Sequence, residues 1–179
     1  MGILKVIRHT NKDLNYLHNA INYVLHGHTA PDNIGSPNTS IFDAYNQMYA
    51  VKKYFGKTSG NPLFHFVVVY DAKTAYDVKR AKYLTAKIAE YFAARYQIIW
   101  CVHEKAMSKR YGSISSMYHA HFVMNSVSFI DGKMFANSRS EIYHFLEYIK
   151  AVTRDSSWTI DYNCYNGKET VSDDSGFFV

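Results

Sequence analysis

A hydrophobic run near residue 120 reads Tyr-His-Ala-His-Phe-Val-Met-Asn, with His119 and His121 one residue apart. Residues i and i+2 of a β-strand point to the same face of a sheet, so these two imidazoles are expected side by side. A third histidine, His103, ends a second apolar run over residues 98–102. If the two strands are neighbours, three neutral imidazoles converge into a metal-binding set. The alternative is a half-exposed strand face on which histidine is only a polar residue.

The remaining hydrophobic patterns predict the other elements. Residues 63–70, Leu-Phe-His-Phe-Val-Val-Val-Tyr, are the clearest strand. Apolar residues at three- and four-residue steps predict helices, whereas short apolar runs predict strands. The helices are expected over about 13–26, 40–54, 75–95 and 138–152, and the further strands over 3–8, 97–103, 118–129 and 158–162. The order β-α-α-β-α-β-β-α-β predicts an α+β fold, with a mainly antiparallel central sheet and helices packed on it.

Length and composition predict one domain over residues 1–165 and a loose polar tail over 166–179. No apolar run approaches the roughly 20 residues of a membrane-spanning helix, and the first residues lack the features of a signal peptide. The two cysteines form no CxxC pair. These observations predict a cytoplasmic protein that does not insert into a membrane.

The charge distribution favours a polyanionic partner. The net charge is +5, and the positive charge lies in the first two thirds of the chain. The chain also has 16 tyrosines, whose rings can stack on unpaired bases. Packing in the core or on half-buried strands is the ordinary alternative for any one of them.

Tyr16 and Tyr23 lie seven residues apart, on the same face of the first predicted helix. A tyrosine hydroxyl can attack phosphorus, but its ordinary pKa near 10 keeps it protonated at neutral pH. It therefore needs a base or a metal-polarised phosphate. His65, on the strand of residues 63–70, is expected to orient a phosphate or to support one of the three histidines.

Three segments resemble the motifs of conjugative and mobilisation relaxases of the HUH endonuclease superfamily, in particular the P-type, VirD2-like families. Asn-Ala-Ile-Asn-Tyr-Val-Leu, residues 19–25, resembles the first motif, which carries a nucleophilic tyrosine. Residues 63–69 resemble the central strand. His103, residues 118–127 and Gly132-Lys133 resemble the third motif, which carries the metal-binding histidines. The motifs occur in the family's order over roughly residues 15–135.

The chain departs from the family pattern in the third motif. The family usually places its first histidine only a few residues from the pair, often with an aspartate between them. Here 15 residues separate His103 from His119, and Glu104 follows His103 directly. Glu104 is therefore a hypothetical substitute for the acidic residue. Ala120 is smaller than the usual residue between the paired histidines.

The resemblance implies a DNA relaxase with the palm of HUH nucleases, which resembles an RNA-recognition motif. Such an enzyme nicks and rejoins one strand at an origin of transfer through a 5′-phosphotyrosyl intermediate. Tyr23 would be the nucleophile, with Tyr16, His26 and His28 as alternatives. The three histidines would hold Mn²⁺ or Mg²⁺, with Zn²⁺ or Ni²⁺ also suited to imidazole ligands.

The implied partners are single-stranded and hairpin DNA, auxiliary relaxosome proteins and a coupling protein. The residues expected to contact DNA precede the central strand, follow His103 or end the H-x-H strand: Lys57, Thr58, Ser59, Lys105, Lys109, Arg110 and Asn125.

Three other functions remain open at the level of sequence. A rolling-circle replication initiator has the same chemistry but usually places its tyrosine after the H-x-H motif. A DNA-binding repressor would use the histidines structurally and bind duplex DNA without metal. A metal-dependent phosphohydrolase would turn over small phosphodiesters without a covalent intermediate.

Overall fold

The computed structural model describes residues 1–7, 13–26, 31–105 and 117–162. The predicted tail over 166–179 therefore lies outside the described residues. The strands are β1 (Ile3–Ile7), β2 (Ile34–Gly35), β3 (Leu63–Val69), β4 (Ile98–Lys105), β5 (Met117–Asn125) and β6 (Thr159–Asp161). The helices are α1 (Leu14–His26), α2 (Ala44–Tyr54), α3 (Val78–Ala93) and α4 (Arg139–Thr153), with a 3-10 turn at Pro31–Asn33.

The strands form one six-stranded sheet in the order β2-β4-β5-β3-β1-β6. Neighbouring strands are antiparallel except β1 and β6, which are parallel. The α+β prediction is therefore confirmed. The two-residue strand β2 was not predicted, because so short an element carries no hydrophobic pattern. β5 ends at Asn125 rather than at residue 129, and the chain then turns at Gly132, where φ is +69°.

The sheet is covered by helices on both faces. Helices α3 and α4 pack on one face around an aromatic cluster, in which the Phe66 and Phe92 rings stack at 5.5 Å. Helix α1 packs on the other face, where Leu17, Ile21 and Val24 are buried. Six of the seven residues of β3 are buried, as expected for a central strand covered by helices on both faces. In the described part of the chain, no helix has the length and apolarity needed to cross a bilayer.

Lys52 is a buried cation on α2. Its side chain is 1% exposed, and Nζ donates a hydrogen bond of 2.6 Å to Ser126 Oγ. Ser126 Oγ in turn donates to the Asn61 carbonyl. Burial disfavours the ammonium form and lowers the pKa of Lys52 from 10.5 to about 8. The folded chain therefore bears a cost for keeping this lysine charged at neutral pH.

We expect Lys52→Met to stabilise the fold at pH 7 by about 1–3 kcal/mol, since the pKa shift alone corresponds to roughly 3 kcal/mol at about 1.4 kcal/mol per unit. Below pH 8 both the folded and the unfolded wild type carry the ammonium, so the cost is present in full. Between pH 8 and 10.5 the folded chain loses its proton first, so the wild type gains stability and the difference shrinks. Urea unfolding at pH 7 and pH 9.5 measures this.

The matched control is Lys53→Met on the exposed side of the same helix, for which we expect a change within about 0.5 kcal/mol at both pH values. A Lys52→Met protein less stable than the wild type at pH 7 would show that the Lys52–Ser126 hydrogen bond outweighs the burial of the charge.

Candidate metal centre

The pairing of β4 with β5 brings the three predicted histidines together. His103 lies directly opposite His119, and Cys101 lies opposite His121. All four positions project to the face of the sheet that α1 covers, because they alternate with residues of the α3–α4 core. One ligand nitrogen from each histidine lies within 4.8 Å of those of the other two. This spacing and donor set fit a single divalent ion.

His121 is the innermost of the three histidines. It is 1% exposed, whereas His103 and His119 are half-buried. The pKa of His121 is well below its ordinary value of 6.5, chiefly because burial disfavours the imidazolium and further because His65, His119 and His103 lie nearby. A neutral imidazole keeps the lone pair that a metal ligand requires. The electrostatics of the site therefore suit metal binding.

His65 supports His121 from the neighbouring strand. It is buried on β3, and its Nε2 lies 2.9 Å from His121 Nδ1. The register pairs Val67 with His121, so His65 lies diagonally across from His121 on the same face. Contact at Nδ1 orients the ring so that Nε2 is the nitrogen suited to a metal. This is the supporting position that sequence analysis gave as one of two options for His65.

We expect His65→Leu to weaken metal binding about 10–100-fold, as is typical when the group behind a ligand histidine is removed. Leucine fills a similar volume but cannot hold the His121 ring. Isothermal titration with Mn²⁺ measures the affinity, and His65→Gln, which retains a hydrogen-bonding side chain, should recover part of it. Equal affinities for His65→Leu and the wild type would limit His65 to packing.

Cys101 is a neighbour of the centre that sequence analysis did not single out. It is buried, and its Sγ lies 3.5 Å from His103 Nε2. Its position two residues before His103, on the same strand face, is the sequence feature that could have identified Cys101 as a neighbour of the histidines.

Tyr23 contacts two of the three histidines. Its ring meets the His121 ring edge-on at 5.3 Å and the His103 ring at 5.8 Å between centroids. The buried residues Ile21 and Val24 on either side of Tyr23 fix α1 against the sheet, and the Tyr23 side chain is half-buried. The structure thus brings the predicted nucleophile to the predicted metal ligands.

The alternative nucleophiles are placed differently. Tyr16 lies two helical turns from Tyr23, about 10 Å along the axis, and is half-buried against the α1 cluster. His26 is exposed in the last turn of α1. His28 lies outside the described residues.

The structure does not bring Glu104 to the face that carries the histidines. Glu104 follows His103 on β4, so its side chain projects to the opposite face. There its carboxylate accepts a hydrogen bond of 3.4 Å from the Tyr118 hydroxyl. This placement follows from strand alternation, because β4 continues through Glu104 to Lys105, whereas the predicted strand ended at residue 103.

Asn125 is also placed away from solvent and from the histidines. Its side chain is 0% exposed, and its amide nitrogen donates to the Met48 carbonyl and to Gln97 Oε1. These bonds tie α2 to the sheet. The residue therefore holds the fold together and is not available at the surface to touch DNA.

The predicted DNA-contacting segment Lys57, Thr58 and Ser59 is exposed, but it lies at the other end of the sheet. It precedes Leu63, which pairs with Asn125, whereas His119 pairs with Val69. Six residues of β3 separate these positions, which is about 20 Å. The structure therefore does not bring this loop to the histidines.

Lys105 lies at the end of β4, two residues beyond His103, in the strand that leads away from the centre. Lys109 and Arg110 lie outside the described residues.

A comparison with protein-family models identifies the relaxase nuclease domain of the MobA/VirD2-like type over residues 16–158, well over half of the chain. Searches of curated proteins and of solved structures found no match. The matched span includes Tyr23, His65 and the three clustered histidines.

Proposed function

Because the chain belongs to the MobA/VirD2-like relaxase nuclease family, we propose that it nicks and rejoins one DNA strand at an origin of transfer, with Tyr23 as the nucleophile. The observation that carries this proposal is the position of the Tyr23 ring. Its centroid lies 5.3 Å from that of the His121 ring and 5.8 Å from that of the His103 ring. A tyrosine whose ring packs against two of the proposed ligands is well placed for its hydroxyl to attack a phosphate that the metal would bind.

The reaction is a transesterification at phosphorus. The Tyr23 oxygen forms a bond to phosphorus and loses its proton, while the bond to the 3′-oxygen breaks and that oxygen gains a proton. The products are a 5′-phosphotyrosyl strand and a free 3′-hydroxyl. One ester replaces another, so no ATP is required. Attack by a 3′-hydroxyl on the same phosphotyrosyl bond rejoins the strand.

The histidines supply the site at which the phosphate is neutralised. His103, His119 and His121 would hold one divalent ion, and His65 would keep the His121 ring in position. The bound ion would act as a Lewis acid on the phosphate. Imidazole ligands suit Mn²⁺, Zn²⁺ and Ni²⁺ better than Mg²⁺. We infer that Mn²⁺ supports activity better than Mg²⁺ at equal concentration.

The proposed substrate is single-stranded DNA around the nick site, with a neighbouring hairpin. Lys105 at the end of β4 and, further along the sequence, Lys109 and Arg110 are proposed phosphate contacts. Auxiliary relaxosome proteins and a coupling protein are the proposed partners. Because of their positions in the sheet, the proposal includes neither a catalytic role for Glu104 nor a DNA contact by Asn125.

A covalent-adduct assay tests the proposal. Single-stranded oligonucleotides that tile the candidate transfer origin are labelled separately at the 5′ and 3′ ends, mixed with protein and Mn²⁺ or EDTA, and resolved on a denaturing gel. We expect the 3′ label to move with the protein and the 5′ label to appear on a shorter free strand, with Mn²⁺ only. This pattern follows from a 5′-phosphotyrosyl link.

Free cleavage products without a covalent band would contradict the proposal and favour a metal-dependent phosphohydrolase. Tight, metal-independent binding of duplex DNA without cleavage across the whole region would instead favour a repressor.

A further inference from the structure

The first half of α3 and the loop before it expose positive charge and aromatic rings. Tyr76 is 70% exposed and Tyr83 54% exposed. Arg80 lies over the Tyr83 ring, with its guanidinium carbon 5.5 Å from the ring centroid. We call this surface the α3 patch, and it consists of Lys73, Tyr76, Lys79, Arg80, Lys82 and Tyr83.

Within the part of the chain that the structure describes, the four cations of the α3 patch form no side-chain ion pair, although Asp71 and Asp77 lie in the same segment of the chain. Among the described residues, side-chain ion pairs engage the cations Lys87, Arg95, Lys133 and Lys150, and none of the four in the patch. The carboxylate of Asp77 caps α3 by accepting from the backbone N–H of Arg80. The segment therefore keeps a net positive charge, with Lys73 and Lys79 exposed and Arg80 and Lys82 half-buried.

The same charges act against the stability of the helix that carries them. The first turn of α3 has no acidic residue, and Lys79 and Arg80 are its second and third residues. The amino end of a helix disfavours cations, and like charges three residues apart, such as Lys79 and Lys82, repel each other. An anionic ligand would relieve both effects, so charge complementarity favours a polyanion as the occupant.

The position of the α3 patch relates it to the histidines. Val69 at the end of β3 pairs with His119, and the loop that follows β3 leads directly into α3. The patch thus begins at the end of the sheet where His103 and His119 lie, but on the opposite face. A flexible strand that leaves the Tyr23 side can pass the end of the sheet and reach α3.

We propose that the α3 patch binds single-stranded DNA that flanks the cleavage position. The proposal rests on the proposed function for the identity of the DNA. The lysines and Arg80 contact backbone phosphates, which gives affinity without sequence preference. Tyr76 and Tyr83 offer ring faces on which unpaired bases stack, a contact that duplex DNA cannot make without unpairing.

The test compares two variants with the same net charge. Lys79→Gln/Arg80→Gln/Lys82→Gln removes three patch cations, and Lys133→Gln/Arg139→Gln/Lys150→Gln removes three cations elsewhere. Fluorescence anisotropy with a labelled thymidine 30-mer, which contains no nick site, is measured from 50 to 300 mM NaCl. We expect the patch variant to bind at least about 10-fold more weakly, with a log–log salt slope lower by about 2, because each single-strand phosphate contact contributes about 0.7.

Equal affinity and slope in the two triple variants would overturn the proposal. A Tyr76→Leu/Tyr83→Leu variant separates the kinds of nucleic acid, since it should weaken binding of the 30-mer but not of a duplex of equal length. Loss of duplex binding in the patch triple, with no effect of the tyrosines, would overturn the assignment to single strands. Thermal unfolding checks that every variant is folded.

The outcome is distinguishable from a failure of the proposed function, because the 30-mer assay does not depend on cleavage. If cleavage occurs, the patch triple variant should cut a short oligonucleotide confined to the nick site at the wild-type rate. With a long oligonucleotide that also contains flanking sequence, it should need a several-fold higher substrate concentration than the wild type to reach the same rate. Cleavage of both lengths at wild-type efficiency would contradict DNA binding by the α3 patch but not the proposed function.

Discussion

Tyr23→Phe is expected to lower formation of the covalent protein–DNA adduct by at least about three orders of magnitude. The substitution removes one oxygen, the atom that we propose becomes bonded to phosphorus, and it leaves the ring to pack against His103 and His121. The effect should fall on the chemical step, so binding of the uncut oligonucleotide should change less than about threefold. Single-turnover cleavage with the 3′-labelled oligonucleotide measures the rate, and anisotropy measures the binding.

Tyr16→Phe is the matched control, because it makes the same change two turns earlier on α1. We expect it to retain adduct formation within a few-fold of the wild type. An adduct that persists in Tyr23→Phe and disappears in Tyr16→Phe would move the nucleophile to Tyr16. Persistence in both variants would exclude both tyrosines and point to His26 or His28.

His119→Ala is expected to reduce Mn²⁺ affinity by more than about 100-fold and to abolish cleavage at micromolar Mn²⁺. It removes one of three ligand nitrogens that lie within 4.8 Å of one another, a larger change than removal of a supporting residue. His119 is half-buried, so its truncation disturbs the core less than that of the buried His121. Isothermal titration with Mn²⁺ and adduct formation at graded Mn²⁺ measure the two effects.

His144→Ala provides the control, since this histidine is exposed on α4, on the opposite face of the sheet from α1. It should bind Mn²⁺ and cleave DNA as the wild type does. Unchanged Mn²⁺ affinity in His119→Ala would show that the clustered histidines are not the metal site, whatever the activity of the protein.

The fold class followed from the hydrophobic patterns, because strand and helix periods are local properties of a sequence. The clearest example is the run at residues 63–69, which forms the central strand β3. Strand β2 has only two residues and depends on its pairing with Trp100 and Cys101. No local pattern marks so short a strand, and sequence analysis missed it.

The predictions of DNA-contacting residues show what the order of residues along the chain does not reveal. Asn125 lies within a predicted strand and Ser59 in a polar segment between predicted elements, but neither pattern shows which of them faces the metal centre. The structure buries Asn125 between α2 and Gln97, and it exposes Ser59 at the end of the sheet away from the histidines. The burial of Lys52 was equally unpredictable, because lysine is almost always found at the surface.

The local sequence was enough to place His119 and His121 side by side, since alternation along a strand puts residues i and i+2 on one face whatever the strand packs against. It also determined that Tyr16 and Tyr23 share one helix face. Long-range packing, by contrast, set β4 beside β5 in the register that places His103 opposite His119, and it packed α1 so that Tyr23 rather than Tyr16 contacts the histidines. These outcomes depend on long-range strand register and helix packing, which are fixed by burial of the whole core and not by any local segment.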